Sequence, residues 1–300
     1  MSSPALIPTF STAVNTWQCD ENDHLNVQFY TEFGHQASAH LLASLGLGPR
    51  AQGVAGLNLC TDSDHVRYLR EFRIIDPVEV LSAPVDVGEH HLIAYHEIRN
   101  AADGRIAATL TRRIVCDRAW PDTFRHRAET ARMAQPESAR PRSVGKQTLP
   151  DLALAQARRS GLIEVNRGVV TPAECDEHGE LLAHRQFARY SDGAPFLWNH
   201  LGFDRAAMQD RQEGSIVVEM LNHYRRPLGA GDLVVVMSGL ASFTDKALTF
   251  NHFLFEVESG TLAAAAEAVG MKFDQKSRKT MPFSTDDLTR LGERQLRLAA

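Results

Sequence analysis

A tripeptide, Cys19-Asp20-Glu21, returns as Cys175-Asp176-Glu177, an offset of 156 positions (from 19 to 175). The same offset carries Val14 onto Val170, Leu25 onto Leu181, Leu45-Gly46 onto Leu201-Gly202 and Tyr68 onto Tyr224. It carries Asp76 onto Asp232, Val78 and Val80 onto Val234 and Val236, His96 onto His252 and Gly104 onto Gly260. One tripeptide arises by chance. A single ungapped register from Val14 to Ala108 requires duplication, and it constrains the chain to two units of one fold. A length of 300 residues accommodates two such units.

Each copy reads in the same order: a short strand ending at Cys-Asp-Glu, a long helix, then four strands. In the first copy Val27, Tyr30, Phe33, Ala37, Leu41 and Leu45 recur at spacings of three and four, the period of one helical face. Gly46, Gly48 and Pro49 stop that helix. The second helix is expected over about 182–201, with a kink or break at Pro195. Strands are expected at Val66–Ile74, Val78–Val87, His91–Asn100 and Arg105–Cys116, then at Ser215–Tyr224, Asp232–Phe243, Ala247–Val257 and Thr261–Phe273. Turns such as Ala102-Asp103-Gly104 and Ser259-Gly260 separate them. The fold class is therefore α+β, with antiparallel sheets each wrapping a long central helix.

The expected organisation is a first unit over 1–118, a linker with short helices over 119–160, a second unit over 161–283 and a C-terminal helix over 284–300. Ser284 or Thr285 caps that last helix, with Asp286 and Asp287 in its first turn. A formal net charge of -5 supplies no global basic field, so no nucleic-acid partner is expected. The start of the chain lacks the pattern of a signal peptide, and no long apolar run suits a membrane span. Cys19, Cys60, Cys116 and Cys175 form no CxxC pair and no zinc pattern, so they read as reduced thiols of a cytoplasmic protein, with no metal.

The stretch Trp17-Gln18-Cys19-Asp20-Glu21-Asn22-Asp23-His24-Leu25-Asn26, followed by Tyr30, resembles the Asp-x-x-Gly-His-x-Asn-x-x-x-Tyr signature of 4-hydroxybenzoyl-CoA-thioesterase-like acyl-CoA thioesterases. Asp23 stands where that signature has Gly. The second copy keeps Asp176 and Gly179 but has Glu180 and Leu182 in place of His and Asn. The resemblance implies the hotdog fold, here as a tandem double hotdog, with an acyl-CoA substrate, no cofactor beyond the substrate's own CoA or carrier moiety, and a possible homodimer. It also implies that Asp20 is a nucleophile or general base.

Thioester hydrolysis needs an attacking or activating group and a donor for the charge that develops on the carbonyl oxygen. Asp20 is the first candidate for the former, and helix-start amides at Asp23 to Leu25 are candidates for the latter. His24 is an acid/base candidate or a packed histidine. Asn26 either orients Asp20 or a water, or caps the helix. Asp176 is the symmetric catalytic candidate. Asp23, Gly179 and Tyr68 are expected at the substrate. Gly179 would let a backbone approach the ligand closely. Tyr30 reads as core. His65, Tyr68 and Glu219 can equally be satisfied sheet residues. Arg112 and Arg113, or Arg225 and Arg226, could meet a CoA phosphate, with solvated strand ends as the simpler alternative. Two other functions fit less of the pattern. A hotdog enoyl-thioester hydratase or dehydratase uses Asp and His at a longer gap, and a non-catalytic acyl-thioester binding protein would tolerate the altered motifs.

Overall fold

The structure is a computed structural model that describes residues 6–296. The chain divides into two units, one ending at Pro141 and the other starting at Arg142. In the first, β1 (Ile7–Ala13) leads through a 3-10 turn (Thr16–Gln18) to α1 (Val27–Ser44) and α2 (Pro49–Ala55). Four strands follow, β2 (Leu59–Tyr68), β3 (Pro77–Val87), β4 (His91–Asn100) and β5 (Ile106–Cys116), and then α3 (Asp122–Ala131). The antiparallel order is β1-β3-β4-β5-β2.

In the second unit a single turn, α4 (Leu154–Ala157), precedes β6 (Ile163–Val169), α5 (Ala183–His200) and α6 (Arg205–Asp210). Next come β7 (Glu213–Tyr224), β8 (Leu233–Phe243), β9 (Ala247–Glu256), β10 (Leu262–Asp274), the short β11 (Lys279–Thr280) and α7 (Thr285–Arg294). The order is β6-β8-β9-β10-β7, with β11 on the free part of β10. The duplicated register survives in three dimensions: α1 maps onto α5 end for end, as do β1 onto β6 and β4 onto β9, all at the offset of 156. The molecule is a tandem double hotdog.

The apolar stripe of α1 does what its period predicts. Tyr30, Phe33 and Ala37 pack with Phe72, Val80, Ile98 and Ala108, while Leu41, Leu42 and Leu45 pack with Leu92, Ala94, Ile114, Trp120 and Phe124. Gly46 ends the helix at φ 89, a left-handed position that glycine adopts without strain. Trp120 and α3 are thus part of the first unit's core, although the stretch 119–160 reads as a linker in sequence. Much of the rest of that stretch is exposed but pinned: Arg67 and Thr109 donate to Ser138 O, and Ala139 and Val144 are buried.

Three expectations need correction. Of the kink or break expected at Pro195, the break is absent: α5 is continuous through it, with Phe187, Tyr190, Leu197 and Trp198 buried along the helix. The first strand after α1 is β2, which starts at Leu59 and ends at Tyr68 rather than spanning 66–74. The polar run Asp62-Ser63-Asp64 hides its start, since Asp64 faces inward only by pairing with Arg112. And β1 stops at Ala13, so the 3-10 turn, not a strand, delivers the chain to Cys19.

Candidate active site

Between the 3-10 turn and α1, residues 19–26 form a closed loop. Cys19 bridges to Leu25, Asp20 N–H donates to His24 O at 3.0 Å, and Asp23 N–H donates to Asp20 O at 3.1 Å. Closing so short a loop puts Asp23 in the left-handed region at φ 64. The equivalent residue of the second unit is Gly179 at φ 82, with nothing within 4 Å of where a Cβ would stand. Turn geometry, a left-handed backbone at this position, is thus a sufficient reason for that glycine.

The loop aims two side chains at each other. His24 Nε2 lies 3.1 Å from Asp20 Oδ2, with the imidazole side chain 10% and the carboxylate 19% exposed. Asn22 N–H donates to Asp20 Oδ1 at 2.8 Å. Burial pushes the Asp20 carboxyl up. The hydrogen bond and charge of His24, with the amides of Asn22 and His24, outweigh it and hold the group below the usual aspartate range. On the other side of the ring, His24 Nδ1 lies 3.8 Å from Glu71 Oε1. Glu71 is held there because Leu69 and Arg70 N–H groups both donate to Ala107 O, and Leu25 N–H donates to Phe72 O at 2.9 Å. One imidazole thus sits between two carboxylates, a geometry in which it can pass a proton toward Asp20.

Glu71 and Asn22 were not singled out in the sequence. The repeat held a signal for the first: Pro227 occupies the matching place, so Glu71 is an acid the duplication does not explain.

Other candidates sit elsewhere. Asn26 is the N-cap of α1, accepting from Gln28 N–H at 3.2 Å. The helix therefore begins at Val27, later than expected. Of the candidate amides at Asp23 to Leu25, those of Asp23 and Leu25 donate within the protein, to Asp20 O and Phe72 O. Tyr68 donates its hydroxyl to Val27 O at 3.3 Å and packs edge-on to Tyr30. Tyr224 does the same to Ala183 O, so this tyrosine secures the helix start in both units. Arg112 is neither a solvated strand end nor a phosphate contact. It is 1% exposed and pairs in two-pronged fashion with Asp64, at 2.7 Å for each bond. Glu219 accepts the N–H groups of Arg142 and Ser143, both at 2.7 Å.

The second motif loop has the same backbone and different chemistry. Asp176 Oδ1 accepts the N–H groups of His178 and Glu180 at 2.9 and 3.0 Å, in an exposed setting. Glu180 replaces the histidine and Pro227 the second acid, so no imidazole faces this carboxylate from the motif.

A family profile described as the thioesterase-like superfamily matches residues 14–119 and 170–291, one stretch in each unit, and the chain belongs to that superfamily. Among solved structures, a Lactobacillus plantarum protein provisionally assigned as an oleoyl thioesterase is similar at 13% identity, covering 90% of this chain and 97% of its own, with a TM-score of 0.68. A 12:0-ACP thioesterase from Umbellularia californica is similar at 14% identity, 88% and 93% coverage and a TM-score of 0.66. An acyl-ACP thioesterase from Bacteroides thetaiotaomicron follows at 8% identity, 87% and 96% coverage and 0.63. At these identities the likeness is one of fold. No curated protein matches the sequence significantly. Among the described residues no helix is long and apolar enough to cross a membrane.

Proposed function

We propose that this protein hydrolyses an acyl-CoA thioester to a carboxylic acid and free CoA, with the chemistry at Asp20 of the first unit. The observation that carries the reading is the 3.1 Å pair of half-buried Asp20 and buried His24. A water held by the Asp20 carboxylate loses its proton to that group as its oxygen bonds to the carbonyl carbon. The C–S bond then breaks, and the proton returns to the departing sulfur, with His24 steadied by Glu71 as the exchanging group. The same carboxylate can instead attack the carbonyl itself and expel the thiolate, which takes a proton by way of His24; water then opens the resulting mixed anhydride, releasing the carboxylic acid, restoring the Asp20 carboxylate and returning the proton to His24. The positive end of α1 at Val27 supports negative charge nearby.

Family membership supports thioester hydrolysis, and the names of the structural neighbours keep carrier-protein thioesters in view as substrates. The test is a panel of acyl-CoAs, and acyl-carrier-protein counterparts, with a thiol-detecting reagent. Release of free thiol from wild type, and its loss in Asp20→Asn, is the expected result. Hydration of an enoyl thioester without release would replace this reading with the hydratase. Saturable binding with neither reaction would replace it with a binding protein.

A further inference from the structure

The two motif loops are laced by the same backbone hydrogen bonds. In the first unit Ile75 N–H donates to Val14 O at 2.9 Å, Val14 N–H to Asp76 O at 3.0 Å, Leu25 N–H to Phe72 O at 2.9 Å and Asn26 N–H to Gln18 O at 2.9 Å. In the second, Gly231 to Val170, Val170 to Asp232, Leu181 to Leu228 and Leu182 to Glu174 repeat them at 2.7–3.0 Å. The side chains on this common frame differ in one direction. Trp17, Ile74 and Ile75 of the first unit stand where the second has Ala173, Ala230 and Gly231.

All three large side chains face solvent, Trp17 at 77% and Ile75 at 81% exposure. The backbone does not need them, since the second unit closes the same loop with alanine and glycine. Ile75 is also held at φ 69, a left-handed position that strains a β-branched residue, while Gly231 sits at φ 98 without strain. The fold does not account for an isoleucine both strained and exposed; something that covers it does.

These residues border the Asp20–His24 pair. Trp17 is three residues before Asp20 and three after Val14, so each Cα lies within about 11 Å of its own. Ile75 is bonded to Val14, and Ile74 and Ile75 follow closely on Glu71, whose Oε1 lies 3.8 Å from His24 Nδ1. A thioester carbonyl placed at Asp20 carries two arms. The CoA arm is rich in amides and ends in phosphates. The acyl arm is the apolar one, and apolar side chains gain by covering apolar surface.

We propose that Trp17, Ile74 and Ile75 form a docking surface for the apolar acyl chain of the substrate, beside Asp20 and within the first unit. This rests on the thioesterase reading above and narrows its substrate class to esters whose acyl group extends as an apolar chain beyond the carbonyl.

The measurement is kcat/KM for a series of straight-chain acyl-CoAs, each below its micelle concentration. It is made on wild type, Trp17→Ala, Ile75→Gly and the triple variant Trp17→Ala, Ile74→Ala, Ile75→Gly. The variants install the second unit's residues at exposed positions, and the shortest ester that wild type hydrolyses reports the basal chemistry of each. Wild type gains up to about 4-fold per added methylene once the chain meets the patch. The triple variant lowers the ratio of longest to shortest ester at least about 10-fold, with the shortest ester unaffected. A wild-type rate that does not rise with chain length, or a rise that the triple variant keeps, overturns the proposal and leaves a protein partner as the occupant. Equal losses on short and long esters overturn it as well, because they give the patch a part in the loop's structure instead. If wild type hydrolyses no ester, the thioesterase reading fails separately. Equilibrium dialysis with the same esters then decides: binding that tightens with chain length in wild type alone sustains the patch, and equal binding ends it.

Discussion

Beneath α1, Gly34 faces Leu110, so close that a Cβ on the glycine would stand 2.9 Å from the leucine Cδ1. At the same place beneath α5, Tyr190 spans Ala266. Small-over-large in one unit has become large-over-small in the other, and the helix-to-sheet distance can stay the same. The exchange continues along the helices. Asp64 and Arg112 of the first unit become Met220 and Ala268, and Thr31 becomes Phe187. The contacts that hold the frame do not change: each unit ties its helix start to a tyrosine and pairs a serine with a buried histidine, Ser82 with His96 and Ser238 with His252. Duplicated copies thus keep the contacts that define the backbone and diverge where compensating volumes allow it. The motif carboxylate survives in both, yet only the first unit has His24 and Glu71 beside it.

The largest test of this contrast is the buried ion pair. Asp64→Asn leaves the Arg112 charge inside the first unit and should lower stability in urea by about 3–5 kcal/mol. Asp64→Met with Arg112→Ala, the residues of the second unit, should recover most of that loss. If the double replacement is as unstable as the single one, the two interiors are not interchangeable solutions. Next is the asymmetry of the motif loops. Asp20→Asn should lose at least about 100-fold in kcat/KM for acyl-CoA hydrolysis. Asp176→Asn, with no histidine paired to its carboxylate, should lose far less, and the reverse order would move the chemistry to the second unit.

The shared serine–histidine pairs give a pH effect common to both units. Burial, with the Arg112 charge as a lesser cause, pushes His96 down to about 3, and burial pushes His252 down to about 4, from an ordinary 6.5. The unfolded chain therefore binds protons below pH 6.5 that the folded chain refuses. The stability from each histidine is complete above 6.5 and lost as pH falls from there toward its folded value. Unfolding free energy at pH 5 should be lower than at pH 7 by about 2 kcal/mol per histidine. His252→Gln and His96→Gln should each flatten the profile by one such share. Equal slopes in wild type and variants would show that other groups dominate.

The smallest effect concerns the turn before β3. Ile75 is 81% exposed and sits at φ 69, where a β-branched residue is strained, while the second unit has Gly231 at φ 98. Ile75→Gly should stabilise by about 1 kcal/mol, read as a Tm rise of a few degrees. A fall in Tm would show that the isoleucine side chain holds a contact worth more than the strain.

How much of this was legible beforehand follows from the range of each interaction. Asp20 and His24 are four residues apart in one closed loop, so their pairing is local and the motif exposes it. Glu71 reaches the same histidine from the loop after β2, and only the antiparallel pairing of β2 with β5 brings it there. The start of β2 is hidden for a related reason: Asp64 looks like a surface residue until Arg112, on β5, neutralises it. Asn222 and Gln186, both buried with one amide atom unpaired among the described residues, carried no warning either, since polar residues at single inward positions leave the hydrophobic period intact.

The amino-acid sequence by itself determined the duplication, the two central helices, the order of hairpins and the motif aspartates, because each is written in spacings of a few residues or in one constant offset. Tertiary structure alone decided that Glu71 stands on the far side of the His24 ring, and which interior positions exchange volume or leave an amide open. Those outcomes depend on side chains from distant strands meeting under one helix, and close packing couples positions that no short-range pattern connects.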